Sequence, residues 1–177
     1  HALAVVAGLA KQQQYRAIRE VFKRQRHASP YMEKYVLEAL YQMGYPDDAA
    51  RRMKERYRPM LESPLTTLWE GWGIGAEGFG GGSYNHAWSG GPLILLSQRA
   101  AGIRPTAPGY DRYEIMPQMG ELTRVESTVH SVRGVIDVVL KKDESHFELE
   151  LRSPTDAVAT IGVPAAYQRM VEINGNE

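Results

Sequence analysis

The hydrophobic pattern of this chain changes period once, and that change limits the fold more than any other feature. Up to about residue 102, apolar residues recur at helical spacing; from 104 onward they alternate. The intervening stretch, Arg104-Pro105-Thr106-Ala107-Pro108-Gly109, carries two prolines and a glycine, which interrupt any regular element. The pattern predicts a multidomain chain, α then β, with a helical part over 1–103 and a β-rich part over 104–177.

The helical part reads as five helices. Residues 2–10 are short and apolar. Residues 14–25 carry Tyr15, Ile18, Val21 and Phe22 on one face, with Arg and Lys opposite. Ser29-Pro30 is an N-cap followed by proline at the first helical position, and it opens a helix over 31–43. Gly44 ends that helix as a C′ residue. Pro46-Asp47-Asp48 starts a fourth helix, to about 61, with two carboxylates at the positive helix end. On it, Arg51, Arg52, Lys54, Arg56 and Arg58 read as a solvated basic face. The last helix is expected over 85–101, interrupted near Gly90-Gly91-Pro92. Helices of this length joined by short turns predict stacked antiparallel hairpins.

In the β-rich part, residues 125–129 and 135–140 carry strand-forming side chains, separated near Gly134. A hairpin turn is expected over 141–145. His146-Phe147-Glu148-Leu149-Glu150-Leu151 alternates apolar and polar, and 155–163 reads as a further strand. Together these predict a small antiparallel β-sandwich.

Composition excludes several function classes. Lys+Arg and Asp+Glu are both 21, so no basic excess is available to bind nucleic acid. Cysteine is absent, which removes disulfides, thiolate metal sites and thiol nucleophiles. The five histidines are scattered without helical i,i+4 pairing, so no metal or cofactor is expected. No apolar run approaches the roughly 18 residues of a membrane helix. The compartment stays open. The first ten residues read as a chain cut inside a helix, lacking the basic start of a signal peptide.

One segment carries chemistry. All three tryptophans fall within 69–88, and nine of the 17 glycines lie between 71 and 91. The text is Thr66-Thr67-Leu68-Trp69-Glu70-Gly71-Trp72, then a glycine-rich loop, then Gly82-Ser83-Tyr84-Asn85-His86-Ala87-Trp88. Indoles stack on the apolar faces of pyranose rings. A carboxylate serves as general acid or base, and Asn and His hydrogen-bond hydroxyls. The loop lacks the Lys of a phosphate-binding loop. Its glycines suit tight turns, or a mobile edge to a sugar cleft. Asn85 reads equally as a helix N-cap, and the tryptophans as core residues flanking helices. Glu77, the other acid of the loop, rivals Glu70.

Ser29-Pro30-Tyr31, Thr67-Leu68-Trp69-Glu70, Ser83-Tyr84-Asn85-His86-Ala87, Gly102-Ile103-Arg104-Pro105, Gly109-Tyr110 and Ile115-Met116-Pro117 together closely resemble the C-terminal part of bacterial α-L-rhamnosidases. The resemblance implies the last helical hairpins of an (α/α)6 barrel followed by the closing β-sandwich. It implies inverting hydrolysis of terminal α-L-rhamnosyl bonds, with Glu70 as general base and His86 as a sugar contact. Trp69, Trp72 and Asn85 are the further candidate substrate-binding residues. In such enzymes a second carboxyl, about 6.5–9.5 Å from the first, protonates the leaving oxygen. The family's acidic motif that supplies it lies upstream and is absent from these 177 residues. The chain alone is therefore expected to carry the base without the acid. Its expected partners are a rhamnose-containing glycoside and the upstream part of the enzyme, or copies of itself meeting through exposed helix faces. The alternatives are another six-hairpin glycosidase or phosphorylase, or a non-catalytic carbohydrate-binding or structural module working through the sandwich. The last would rely on Tyr110, Tyr113, Phe147 and Tyr167, since the β part has no Trp.

Overall fold

The computed structural model describes residues 1–74, 82–168 and 171–173. It forms two compact units, His1–Leu95 and Leu96–Glu177.

In the first unit, α1 (Ala2–Val6), α2 (Tyr15–Arg24), α3 (Pro30–Gln42), α4 (Pro46–Glu62) and α5 (Gly91–Leu95) surround one apolar core. Helix α3 is its hub, and α1, α4 and α5 all pack on it. Val36, Leu37 and Leu40 of α3 meet Val5, Ile18, Phe22, Ala49 and Leu95 there. The ends of α3 follow from local chemistry. The Ser29 hydroxyl accepts from the Met32 N–H at 3.3 Å, and Pro30 occupies the first turn, where its missing N–H is harmless. Gly44 adopts φ 82°, and the Gly44 and Tyr45 N–H groups return to the carbonyls of Tyr41 and Leu40. That double closure satisfies two carbonyls left open by the last helical turn.

Helix α4 departs from expectation. Its basic residues do not form one solvated face. Arg51, Lys54 and Arg58 are exposed, but Arg52 and Arg56 lie one turn apart on the inner side. There they converge on Glu33 of α3, whose side chain is fully buried. Arg52 makes a two-pronged ion pair with Glu33 and also donates to the carbonyls of Phe22 and Gln25, closing the end of α2. Arg56 lies 3.7 Å from Glu33 and donates to the Ala28 carbonyl at 2.6 Å. Burial lowers the Arg56 pKa below its usual value. A long basic side chain reads as solvated until a buried carboxylate from another helix is placed opposite it. Asp48 is likewise more than a helix-dipole partner. It is buried against Arg19, whose hydrogen bond holds the carboxyl below the usual range.

The second unit opens on a single π turn, Leu96–Ala100. Six strands follow: β1 (Ile103–Pro105), β2 (Arg112–Ile115), β3 (Arg124–Ser131), β4 (Gly134–Lys142), β5 (Phe147–Arg152) and β6 (Val158–Ile161). They form two three-stranded sheets, β1-β2-β6 and β3-β4-β5. The second sheet is antiparallel, as expected. The first is mixed, because β6 pairs with β2 in parallel while β1 pairs with it antiparallel. The expectation of a wholly antiparallel sandwich is corrected on that point. Strands β1 and β2 are too short, and too rich in Pro and Arg, to announce themselves by alternation. Their pairing is decided by the core. Ile103, Tyr113 and Ile115 of the mixed sheet are buried with Ile136, Val138 and Leu140 of β4.

Two further boundaries move. Lys141 and Lys142 belong to β4, and the turn begins at Asp143, whose carboxylate accepts from the N–H groups of Ser145 and His146. Lys141 pairs with Arg124 of β3 and Glu148 of β5 in the sheet, and its ammonium reaches Glu148 and Glu150, each at 3.1 Å. The strand expected over 155–163 shortens to β6, since Pro154 and the residues after it turn.

Gly102 leads into β1 at φ 79°, and its carbonyl accepts from the Met116 N–H at 3.0 Å. A Cβ there would sit 2.3 Å from the Met116 carbonyl carbon and 2.5 Å from the Pro117 nitrogen. Gly102→Ala therefore combines left-handed strain with a backbone clash, and is expected to cost at least about 2 kcal/mol. A denaturant melt of the β unit checks this; a loss under about 0.5 kcal/mol, the size of a neutral surface change, would show that the corner relaxes freely.

Candidate active site

The Trp69-Glu70 segment has no helix or strand of its own; pairing across the base of the glycine-rich loop holds it. The Glu70 N–H donates to the Ser83 carbonyl at 2.9 Å, and the His86 N–H donates to the Leu68 carbonyl at 2.8 Å. The Thr67 hydroxyl donates to the Tyr84 carbonyl, and the Ser89 hydroxyl to the Trp69 carbonyl at 2.5 Å. The two stems of the loop are thus tied together, which brings residues far apart in sequence onto one carboxylate.

That carboxylate is Glu70. Its Oε2 accepts the Ser83 N–H at 2.8 Å and lies 3.5 Å from His86 Nδ1. Both described contacts fall on this one oxygen. The Glu70 and His86 side chains are 32% and 35% exposed. The pair is therefore anchored by the backbone yet open to solvent on one side. Water can reach it, and a fixed carboxylate oxygen can take a proton from that water.

The remaining expected site residues are distributed around this pair. Trp69 meets the Tyr84 ring edge-on, with centroids 5.3 Å apart. Trp72 donates its indole N–H to the Ala28 carbonyl at 2.7 Å and meets Tyr57 edge-on at 5.0 Å. The Arg56 guanidinium lies over its ring at 4.2 Å. Trp88 contacts the His86 ring at 4.2 Å. Asn85 is exposed, and its N–H bonds to the Ser83 hydroxyl at 3.1 Å. It is not the N-cap of the following turn; His86 holds that position, with no side-chain cap bond. Glu77 and most of the glycine loop lie outside the described residues.

Ser83 and Tyr31 were not singled out for the site. Ser83 belongs to the Ser83-Tyr84-Asn85-His86-Ala87 motif, but it acts through its backbone N–H, which any residue supplies, so the motif does not disclose that role. Tyr31 is read in the sequence both as the start of a helix after Ser29-Pro30 and as part of the Ser29-Pro30-Tyr31 motif of the resemblance, and its ring lies 5.3 Å from that of Trp88. Among the aromatic candidates of the β unit, Tyr113 is fully buried, and Phe147 stacks on Tyr167 at 5.8 Å. Among the described residues no His/Asp/Glu group is placed to hold a metal, and no helix is long and apolar enough to cross a membrane.

Residues 102–176 match the bacterial alpha-L-rhamnosidase C-terminal domain. The chain resembles the C-terminal part of α-L-rhamnosidases. The GH78 family rhamnosidase of Bacillus sp. GL1 superposes with a TM-score of 0.79 at 25% identity, over 94% of this chain and 19% of that one. The α-L-rhamnosidase from Dictyoglumus thermophilum gives 0.70 at 25% identity, over 81% of this chain and 17% of its own. The Streptomyces avermitilis α-L-rhamnosidase, solved in complex with L-rhamnose, gives 0.66 at 26% identity, over 76% and 14%. The chain thus spans less than a fifth of the length of each of these solved structures. No curated protein matches it. The likeness to rhamnosidases runs through both units, since the Bacillus superposition extends well beyond the matched β domain.

Proposed function

We propose that this chain is the base-bearing end of an inverting α-L-rhamnosidase, with Glu70 as the general base. The observation that carries the reading is the Glu70 carboxylate, pinned through one oxygen by the Ser83 N–H and His86 while staying open to water. In this reading the helical unit supplies the last hairpins of an (α/α)6 barrel, and the β unit closes the enzyme.

The reaction balances as follows. Glu70 takes a proton from a water molecule. The water oxygen bonds to the anomeric carbon from the face opposite the leaving group. The bond from that carbon to the glycosidic oxygen breaks, and an acid outside these 177 residues protonates the leaving oxygen. His86, within reach of the carboxylate, hydrogen-bonds a hydroxyl of the sugar. Asn85 lines the same exposed edge. Trp69 and Trp72 support the segment that carries the base.

Proton NMR of an aryl α-L-rhamnoside during hydrolysis by the complete enzyme tests the reading. The first rhamnose released is expected as the β anomer. Release of the α anomer would mean a covalent intermediate, and Glu70 would then not be a base acting on water in the first step.

A further inference from the structure

The three tryptophans beside the glycine loop differ in how much ring they leave open. Trp69 and Trp72 are partly buried, the first against Tyr84 and the second between Arg56, Tyr57 and the Ala28 carbonyl. Trp88 is 44% exposed, and it does not stand alone. Its ring centroid lies 4.2 Å from that of His86 and 5.3 Å from that of Tyr31, and Tyr31 is itself 42% exposed. The row continues to Tyr35 at 6.0 Å. A row of aromatic rings, with Trp88 and Tyr31 exposed and Tyr35 half-buried, thus starts at the imidazole beside the Glu70 carboxylate.

We propose that Trp88 and Tyr31 form the stacking platform for a pyranose ring whose hydroxyls are held by His86. This deepens the glycosidase reading and rests on it. A pyranose presents C–H groups on its faces and hydroxyls around its edge. An exposed indole beside an imidazole offers a surface for the first and a hydrogen-bonding partner for the second. The planes of the two rings are inclined by 36°.

The supports of the platform are firm. Tyr31 lies in the first turn of α3, which Ser29 caps. Trp88 belongs to the turn Ala87–Gly90, and its neighbour Ser89 is buried with its hydroxyl on the Trp69 carbonyl. The same Ser89 bond therefore ties the platform to the segment bearing Glu70. Contact with Trp88 also limits rotation of the His86 ring, so Trp88 positions the histidine as well as the sugar.

The test is calorimetric binding of L-rhamnose to the complete enzyme in a Glu70→Gln background, with Trp88→Ala, Trp88→Phe and Tyr31→Ala added singly. Trp88→Ala is expected to weaken binding about tenfold or more, and Trp88→Phe to stay within about threefold of the parent. Tyr31→Ala is expected to fall between them. With Glu70 intact, Trp88→Ala should raise KM for an aryl α-L-rhamnoside by a larger factor than it lowers kcat, the mark of lost ground-state binding. Unchanged binding in Trp88→Ala overturns the platform. So does a loss that Phe fails to restore, because that is a matter of packing shape and not of stacking. If the Glu70→Gln parent binds no rhamnose while folding normally, the glycoside reading itself falls, and the sugar platform with it.

Discussion

Glu70→Gln in the complete enzyme is expected to lower kcat on an aryl α-L-rhamnoside by about 10²–10⁴-fold, with KM little changed. Gln keeps the shape of Glu and can still accept the Ser83 N–H, so the segment that places it should stay folded. What it loses is the ability to take a proton from water. A nucleophile that has no proton to give up does not need a base. Added azide should therefore restore turnover in the variant and yield the β-rhamnosyl azide, since attack still comes from the side of residue 70. Full activity without azide would remove Glu70 from the chemistry. Loss of activity with no rescue, and with altered folding, would make Glu70 a tie between the loop stems and not a base.

Glu33→Ala is expected to destabilise the helical unit by about 3–5 kcal/mol, the cost of leaving buried charge without its partner. Glu33 is fully buried, and two arginines of α4 converge on it. Its removal leaves the Arg52 guanidinium, whose side chain is only 9% exposed, without its counter-ion. The effect should spread along named contacts. Arg52 closes the carbonyl end of α2, and Arg56 covers Trp72 next to the Glu70 segment. Hydrogen exchange should accelerate first in α3 and α4, and denaturant melts should show the loss of stability directly. Glu33→Gln keeps the volume and one acceptor, so it is expected to lose less. A loss below about 1 kcal/mol for Glu33→Ala would mean that solvent reaches the arginines once the carboxylate is gone.

Much of the fold was legible from residue order because its signals are local. Ser29-Pro30 and Gly44 bound α3 through caps whose partners lie within four residues of them. The alternation in β5 and the runs in β3 and β4 mark strands that pair with their sequence neighbours. The mixed sheet was not legible, because β2 and β6 are joined in register only after the whole β3-β4-β5 meander has intervened. Nothing local to Arg112 or Val158 records that pairing.

The site divides in the same way. The order of residues determined which chemistry was available: a carboxylate between two indoles, a glycine-rich loop, and a histidine on its far side, with no thiol and no histidine cluster. Tertiary structure decided how those groups are used, because contacts between distant residues set exposure and orientation. It placed His86 and the Ser83 N–H on the same oxygen of Glu70, packed Trp72 beneath Arg56, and left Trp88 open beside Tyr31. It also turned two arginines of an apparently solvated face inward, because a buried carboxylate on α3 waited there, and only the packing of one helix on another could bring that carboxylate within reach.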